Sequence, residues 1–311
     1  MEVRELGRSG IAVSRVILGC GNFGGVGSAP AFFGQGIPKD EALRVMDAAW
    51  DLGVTTFDTA DAYGGGRSER YIGEWLAAKD SAVRDTIVVE TKTFNPNEVG
   101  ADRGLSRERI LRQIDVSLGR LGLERVPLYL AHDFDSDTPQ EETLHTFDEL
   151  VRAGKVGAVG ASNFDVEQLG AALAISESEG LTRYEWVQNS LSLLDLDDAE
   201  LLPVCREHGL GFEAFGPLAG GWLTGKYRRG GAYPEGSRMT QRPESYRRYE
   251  DDRVYSAVEA FEQEALGRGV SMAGLAIAWL LDEPGVTAVV VGPTCAEQLA
   301  PVREALALEL P

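Results

Sequence analysis

Four residues with side chains suited to proton transfer each lie just beyond an apolar run of the sequence; they are Asp58, Tyr63, Lys92 and His132. Asp58 and Tyr63 follow one run, and Lys92 and His132 follow two later runs. Singly, each residue also fits a structural role, such as a turn cap or a core histidine. If the runs are strands of one barrel, however, the four side chains converge on one point. The sequence therefore predicts a proton-transfer centre.

Apolar runs alternate with helix-period segments along the whole chain, without a linker that would divide it. The eight predicted strands are residues 16–18, 54–57, 87–89, 128–130, 156–159, 186–188, 211–215 and 286–291. Most of them lack polar alternation, as expected for parallel strands covered on both faces. The pattern predicts an α/β fold, a (β/α)8 TIM barrel in a single domain over residues 1–311. Right-handed crossovers would place all the C-terminal strand ends, and so the active site, on one face.

The first residues predict a β-hairpin ahead of the barrel. Residues 3–13 contain two short strand-like runs with a turn near Ser9-Gly10. We expect this hairpin to close the N-terminal end of the barrel.

Composition limits the possible partners. The 311-residue chain has a formal net charge of -19, which argues against a nucleic-acid partner. The sequence shows neither an apolar leader at its start nor an apolar run long enough for a membrane span, and its three cysteines are scattered, so a cytoplasmic location with reduced thiols is expected. We predict no metal site, and the oligomeric state is left open.

One segment reverses the acidic charge. Residues 226–248, called here the basic segment, contain seven lysines and arginines against two glutamates, a local charge of +5. The segment is either a solvated loop or a surface that meets an anion.

A glycine motif at residues 19–24 matches the dinucleotide fingerprint G-x-G-x-x-G. Further glycines and prolines follow it, where a dinucleotide fold needs a helix. We therefore reject the fingerprint and expect the glycines to allow close backbone approach at the barrel mouth. Phe23, Phe32, Phe33 and Trp222 are candidates either for an apolar substrate surface or for packing.

Longer segments resemble the aldo-keto reductase superfamily over essentially the whole chain. The matching segments are LGRSG at 6–10, FDTADAYGGGRSE at 57–69, TK at 91–92, GKV at 154–156, GASNF at 160–164, VQN at 187–189 and GPLAGGWLTGKY at 216–227. The resemblance implies a barrel enzyme that uses NADP(H) to reduce small aldehydes or ketones, reversibly toward alcohol oxidation.

The resemblance also implies a role for each member of the predicted centre. Tyr63 is the general acid that protonates the carbonyl oxygen, and His132 orients that oxygen. A free phenol has a pKa near 10, so we expect the Lys92 ammonium to lower the pKa of Tyr63. Asp58 pairs with Lys92 and keeps it charged.

The cofactor contacts implied by the resemblance fall into a nicotinamide side, a diphosphate loop and an arginine beyond it. These residues are Gly21, Ser162, Asn163, Gln188, Phe215, Gly216, Pro217, Leu218, Gly220, Lys226, Arg238, Gly292, Thr294 and Gln298. The basic segment then becomes the phosphate side of the cofactor site.

The chain departs from the family pattern after the last strand. Where the family often has an arginine two residues after a glycine, Thr294 stands here, and Pro301 and Val302 replace a glutamate and an asparagine. A guanidinium fork and an adenine-binding amide are missing, so NAD(H) is kept as an alternative cofactor.

Two glutamates stand at strand positions of the predicted barrel. Glu90 either competes with Asp58 for Lys92 or faces a helix with a partner of its own, and we favour the second interpretation. Glu213 is costly if it is buried without a partner.

A second function remains as the alternative. Potassium-channel β subunits share the fold and bind nucleotide as regulatory or redox-sensing modules, but they replace the histidine of the tetrad. His132 is present here, which favours turnover.

Overall fold

The computed structural model describes residues 1–308 and contains a closed barrel of eight parallel strands. The strands are β1 (Val3–Glu5), β2 (Ala12–Ser14), β3 (Val16–Gly19), β4 (Thr56–Asp58), β5 (Val88–Thr93), β6 (Val126–Ala131), β7 (Val156–Ser162), β8 (Trp186–Ser190), β9 (Gly211–Phe215) and β10 (Ala288–Val291). Strands β3 to β10 pair in chain order, and β10 closes the ring on β3. The predicted barrel and its eight strands are confirmed.

Helices surround the barrel. They are α1 (Lys39–Asp51), α2 (Arg67–Ala77), α3 (Ser81–Arg84), α4 (Arg107–Leu121), α5 (Gln140–Arg152), α6 (Val166–Glu179), α7 (Leu201–His208), α8 (Arg238–Gln241), α9 (Asp252–Arg268), α10 (Met272–Asp282) and α11 (Ala300–Ala307). Local signals fix their ends: α6 begins with a capping box in which the Asp165 and Gln168 side chains each accept the other's backbone N–H. Within the described residues no single helix is long and apolar enough to cross a membrane, and α9 and α10 pass that test only as a pair bent by 89°.

Side chains of the barrel strands alternate between the interior and the helices. In β6, Leu128 and Leu130 pack inside the barrel, whereas Tyr129 meets Phe147 of α5 at a ring distance of 5.7 Å. Because all eight strands run in the same direction, their C-terminal ends form one rim, called the mouth below.

The predicted hairpin closes the opposite end of the barrel. Strands β1 and β2 pair antiparallel, and Leu6 and Val13 are fully buried in the cluster that fills the barrel interior. Gly7 has a φ of +60°, and a Cβ there would lie 2.0 Å from the Glu185 carbonyl oxygen at the start of β8. Only glycine permits this approach of the hairpin to the barrel.

The glycine motif after β3 does not open a helix. The chain continues through a 3-10 turn at Pro30–Phe32, and the next α-helix begins at Lys39, so the rejection of the dinucleotide fingerprint is confirmed. Phe23 and Trp222 are fully buried in core clusters and so serve packing, whereas Phe32 stays half-buried near the mouth.

Candidate active site

Lys92 and Asp58 form a buried ion pair at the ends of neighbouring strands. Lys92 Nζ donates to Asp58 Oδ1 and, at 3.0 Å, to the Thr59 carbonyl oxygen. It also lies 3.5 Å from the Tyr63 hydroxyl oxygen. Lys92 is fully buried and Asp58 is 3% exposed, so water does not screen this pair.

Tyr63 is held by the segment that joins β4 to α2. Asp61 in that segment accepts hydrogen bonds from Thr93 Oγ1 at 3.0 Å and Arg109 Nη2 at 3.3 Å, which fix the segment to β5 and α4. A Cβ on Gly21, just after β3, would lie 3.6 Å from the Tyr63 ring, an ordinary van der Waals distance, so the backbone at Gly21 packs beside the phenol. The phenol is thus positioned from three sides.

His132 completes the predicted group at the end of β6. Its ring centroid lies 5.5 Å from that of Tyr63, edge to face at 79°. Asn163 Nδ2 donates to the His132 carbonyl oxygen at 2.8 Å and fixes the backbone there. Burial and the nearby Lys92 charge hold the pKa of His132 well below its usual value, so the imidazole is neutral.

Burial decides the protonation of the phenol. Burial alone would lower the pKa of Lys92, but the Asp58 carboxylate reverses this effect and the ammonium keeps its proton. Burial raises the pKa of Tyr63 to about 12, against the opposing pull of Lys92. Lys92 thus acts in the expected direction, but the expected net lowering is wrong. Tyr63 therefore holds its proton at neutral pH.

A group of buried carboxyls, called the carboxyl cluster below, surrounds the Gln188 amide inside the barrel. Gln188 Nε2 lies 3.2 Å from Asp58 Oδ1, 2.5 Å from Glu90 Oε1 and 3.1 Å from Glu213 Oε2. An amide nitrogen has two hydrogens to share among these three oxygens. Asp58 Oδ1 also accepts from Lys92, so the two hydrogens can serve Glu90 and Glu213, and the amide holds these two carboxyls close together.

Glu90 faces the barrel interior, so the interpretation that it faces a helix is wrong. Its neighbour Thr91 points outward instead and donates to Glu69 of α2 at 2.8 Å. Strand alternation therefore places Glu90 on the same side as Lys92. Glu90 and Glu213 are both fully buried.

Glu90 and Glu213 share a desolvated space and cannot both ionise easily. Burial and the neighbouring Glu213 charge raise the pKa of Glu90 well above its usual value. Burial raises the pKa of Glu213 to about 7, although hydrogen bonds from Glu90 and Gln188 oppose it. The pair titrates as a unit, with one proton held between two carboxyls.

The titration of Glu213 predicts a pH-dependent stability. Because its folded pKa is raised, its contribution is present below the unfolded value of 4.5 and is lost as the pH rises through about 7. Glu213→Gln mimics the protonated acid and does not titrate. The free energy of unfolding of the variant, relative to that of the wild type, should therefore increase from pH 5 to pH 8, by at most about 3 kcal/mol. Urea unfolding at both pH values measures this gain.

The exposed Glu235→Gln is the matched control and should show no pH-dependent difference. An equal wild-type-to-variant difference at pH 5 and pH 8 would contradict the buried titration.

The residues expected on the nicotinamide side lie on neighbouring strand ends. Ser162 of β7 is in register with Gln188 of β8, and Ser190 of β8 is in register with Phe215 of β9. Asn163 has a φ of +59°, and its Nδ2 donates to Ser162 Oγ at 3.1 Å. Ser162 and Asn163 therefore lie together, whereas the amide nitrogen of Gln188 is already engaged by the carboxyl cluster.

The loop after β9 is shaped by glycines and brings two cations together. Gly216, Gly220 and Gly221 have positive φ values of 71°, 64° and 100°. A Cβ on Gly221 would lie 2.3 Å from Lys226 Cε, so this glycine makes room for the lysine. Pro217 and Leu218 form the turn between these glycines. The loop therefore folds back so that Lys226 lies against its own glycines.

Lys226 and Arg238 make no ion pair with a carboxylate among residues 1–308. Burial, together with the Arg238 charge, lowers the pKa of Lys226, and burial lowers the pKa of Arg238. Arg238 Nη2 donates to Asn22 Oδ1 at 2.7 Å, and Asn22 Nδ2 donates to the Gly292 carbonyl oxygen at 3.1 Å. Two partly buried cations without a counter-ion suit an anionic ligand.

A cavity of about 480 Å³ opens at the mouth. Its lining residues are Gly27, Ser28, Ala29, Pro30, Tyr63, Asn95, Pro96, His132, Asn163 and Arg242. The phenol and the imidazole therefore face one space, with the Lys92–Asp58 pair behind the phenol. No group of three metal-binding side chains occurs in the part of the chain that the structure describes.

A sequence model of the Aldo/keto reductase family matches residues 15–311. The chain belongs to the aldo/keto reductase family. It is 36% identical to the uncharacterized oxidoreductase YrpG of Bacillus subtilis, over 100% of this chain and 92% of that protein. An L-glyceraldehyde 3-phosphate reductase of Escherichia coli O157:H7 is 34% identical, over 96% of this chain and 86% of the relative.

A probable voltage-gated potassium channel subunit beta of Oryza sativa subsp. japonica is 32% identical, over 98% of this chain and 91% of that protein. The family thus includes both reductases and channel subunits among the relatives of this chain. Together, the family and the reductase relatives support an oxidoreductase.

Three residues after the last strand, Thr294, Pro301 and Val302, differ from the family pattern. In this aldo/keto reductase, Thr294 N donates to Gln298 Oε1 at 2.9 Å, so these two residues contact each other. Pro301 lies in the first turn of α11, and Val302 is 1% exposed in the core. Neither Pro301 nor Val302 has a polar side chain to offer a cofactor.

Sequence reasoning missed Asn95 and Arg242 as cavity residues. The charge of the basic segment pointed to the region of Arg242 but not to one arginine within it. Asn95 follows β5 by two residues, and its position near a strand end was the available signal.

Proposed function

We propose that this protein is an NADP(H)-dependent reductase that transfers a hydride to the carbonyl carbon of an aldehyde or ketone, reversibly, as a single domain over residues 1–311. Asp58, Tyr63, Lys92 and His132 form its proton-transfer group. One observation carries the proposal: Tyr63 and His132 line one cavity, and the Lys92 ammonium lies 3.5 Å behind the phenol oxygen.

Tyr63 supplies the proton in this proposal. As the carbonyl oxygen gains negative charge it takes the hydroxyl proton of Tyr63, and the phenolate left behind faces the Lys92 ammonium. The Asp58 carboxylate keeps Lys92 charged and fixed. A buried cation close to the phenolate lowers the free energy of proton transfer without any need for water to reorganise.

His132 orients the carbonyl oxygen. Its neutral ring carries one N–H, which can donate a hydrogen bond to the substrate but cannot compete with Tyr63 as a charged acid. Because Asn163 fixes the His132 backbone, the imidazole keeps its distance from the phenol.

The residues of the chain fit a nicotinamide dinucleotide. That cofactor, when bound, supplies the hydride. Lys226 and Arg238 would hold its phosphates, because both lack a carboxylate partner within residues 1–308. Ser162 and Asn163 would hold the nicotinamide amide beside the cavity. Phe215 would present its ring to the nicotinamide.

Cofactor choice tests the phosphate side. We expect Arg238 to contact the 2′-phosphate, which NADPH carries and NADH lacks. Arg238→Met should therefore raise the dissociation constant for NADPH about 10- to 100-fold by removing a charge-assisted contact, and should affect NADH less. Loss of NADPH absorbance with a panel of aldehydes measures turnover, and fluorescence titration measures binding. Arg228→Met is the matched control, since Arg228 in the same segment is paired with Glu262 at 2.7 Å.

Equal dissociation constants of the wild type for NADPH and NADH would refute the preference for NADP(H) and favour NAD(H). Absence of turnover with every aldehyde of the panel would refute the reductase. It would leave the alternative, a nucleotide-binding regulatory module similar to the channel subunits, as the better interpretation.

A further inference from the structure

Among the described residues that line the mouth cavity, Arg242 is the one whose side chain carries a charge at neutral pH. The other lining residues are uncharged, and burial keeps His132 and Tyr63 neutral. We propose that the cavity selects carbonyl compounds that bear an anionic group, a carboxylate or a phosphate, and that Arg242 binds this group. The inference rests on the proposed carbonyl reduction and names its substrate class.

Two contacts place the guanidinium of Arg242 at the cavity wall. Arg242 Nη1 lies 3.4 Å from the position that a Cβ on Gly27 would take, and Gly27 lines the cavity. The guanidinium carbon lies 5.7 Å from the centroid of the Phe32 ring, within reach of a cation–π contact. The loop after β3 therefore supports the cation from one side.

The guanidinium of Arg242 has capacity for a ligand. The guanidinium of Arg242 donates no hydrogen bond to another described residue, and its buried Nε lacks a hydrogen-bond partner. Glu244 is its one ionic neighbour in residues 1–308, at 3.6 Å with a side chain 66% exposed. An exposed ion pair at that distance contributes little binding free energy. A ligand carboxylate or phosphate, which offers two oxygens, can therefore bind the guanidinium of Arg242 better than Glu244 does.

Other arginines of the basic segment differ from Arg242 in this respect. Arg228 forms a two-contact pair with Glu262, Arg229 contacts Asp252, and Arg248 contacts Asp195. These arginines hold the loop, whereas Arg242 has no comparable structural partner.

The electrostatics of the cavity also favour an anion. The buried carboxylate of Asp58 lies behind the Lys92 ammonium, and no carboxylate lines the described wall of the cavity. Arg238 lies close to Arg242. Burial is the main cause that lowers the pKa of Arg238, and the Arg242 charge lowers it further. Two neighbouring guanidinium groups raise the positive potential at this end of the cavity.

The closeness of Arg238 creates a competing explanation, in which Arg242 binds a cofactor phosphate. Tyr63 and His132 line the same cavity as Arg242, which favours binding of the substrate's anionic group by Arg242 over binding of a cofactor phosphate. The experiment therefore has to separate the effect on substrate from the effect on cofactor.

Matched aldehydes separate charge from shape. We expect wild-type kcat/KM to be at least about 10-fold higher for 4-carboxybenzaldehyde than for the neutral 4-formylbenzamide. Arg242→Met should lower kcat/KM for the carboxylate about 10- to 100-fold, mainly through KM, and should leave the amide within a few-fold. Arg242→Lys should restore part of the loss, because it returns the charge without the fork.

Glycolaldehyde phosphate and glycolaldehyde form a second pair, which shows whether a phosphate is preferred to a carboxylate. Arg228→Met serves as the control for surface charge, because Arg228 is held by Glu262 away from the cavity lining. It should leave both charge preferences unchanged.

Turnover of the neutral aldehydes without any preference for the charged ones would overturn the inference and leave the reductase intact. An equal loss on both members of a pair, with weaker NADPH binding, would assign Arg242 to the cofactor and also overturn it. If no aldehyde of either pair is reduced, the proposed function fails and the inference fails with it.

Discussion

Replacing Tyr63 with phenylalanine is expected to lower kcat for aldehyde reduction about 10²- to 10⁴-fold, the usual contribution of a positioned general acid. The substitution removes the hydroxyl whose oxygen lies 3.5 Å from Lys92 Nζ and leaves the ring that packs against His132. The dissociation constant for NADPH should change within a few-fold, because the phenol lies apart from Lys226 and Arg238. The measurement is the rate of NADPH oxidation at saturating aldehyde.

Tyr71→Phe provides a control for hydroxyl loss. Tyr71 lies in α2, half-buried against the outer core, and does not line the cavity. Its substitution should leave kcat unchanged. A Tyr63→Phe rate within a few-fold of the wild type would show that another group donates the proton.

Lys92→Met is expected to lower both stability and activity. It leaves the Asp58 carboxylate buried without its cation, which costs about 3 to 5 kcal/mol of unfolding free energy. It also removes the charge that stabilises the Tyr63 phenolate, so kcat should fall at least about 10²-fold. Urea unfolding and NADPH oxidation measure the two effects.

A double variant separates these effects. Lys92→Met/Asp58→Asn removes both charges of the pair, so it should recover most of the lost stability while the rate stays low. It also supplies a measurable protein if the single variant does not fold. Identical unfolding of Lys92→Met and the wild type would contradict a buried ion pair at this position.

Much of the architecture followed from the sequence because its signals are local. Short apolar runs, glycine turns and right-handed crossovers define a barrel without knowledge of any distant contact. The hairpin was predictable for the same reason, since the turn near Ser9-Gly10 is fixed within a few residues. The rejection of the glycine fingerprint likewise depended only on the glycines and prolines that follow it.

The interior of the barrel was harder to predict. Strand alternation shows which side chains point inward, but it does not show which of them meet across the barrel. Glu90 belongs to β5 and Glu213 to β9, and their meeting at Gln188 of β8 depends on the packed barrel. The net pKa of Tyr63 was also inaccessible, because burial and the Lys92 charge oppose each other and only packing sets their balance.

Arg242 illustrates a third limit. Composition showed that the basic segment was positively charged, but the pairing of each arginine depends on where α9 and the other partners lie. The position of Arg242 at the cavity, with only the exposed Glu244 as an ionic neighbour in the described residues, became visible only in the folded structure.

The apolar layer at the closed end of the barrel has a consequence for proton exchange. Trp186 precedes Gln188 by two residues on β8, and with Leu6 of the hairpin it separates the carboxyl cluster from water at that end. Solvent protons therefore reach the cluster through the mouth. We expect a ligand that fills the mouth to slow this exchange, so that the protonation of the carboxyl cluster changes little while the ligand is bound.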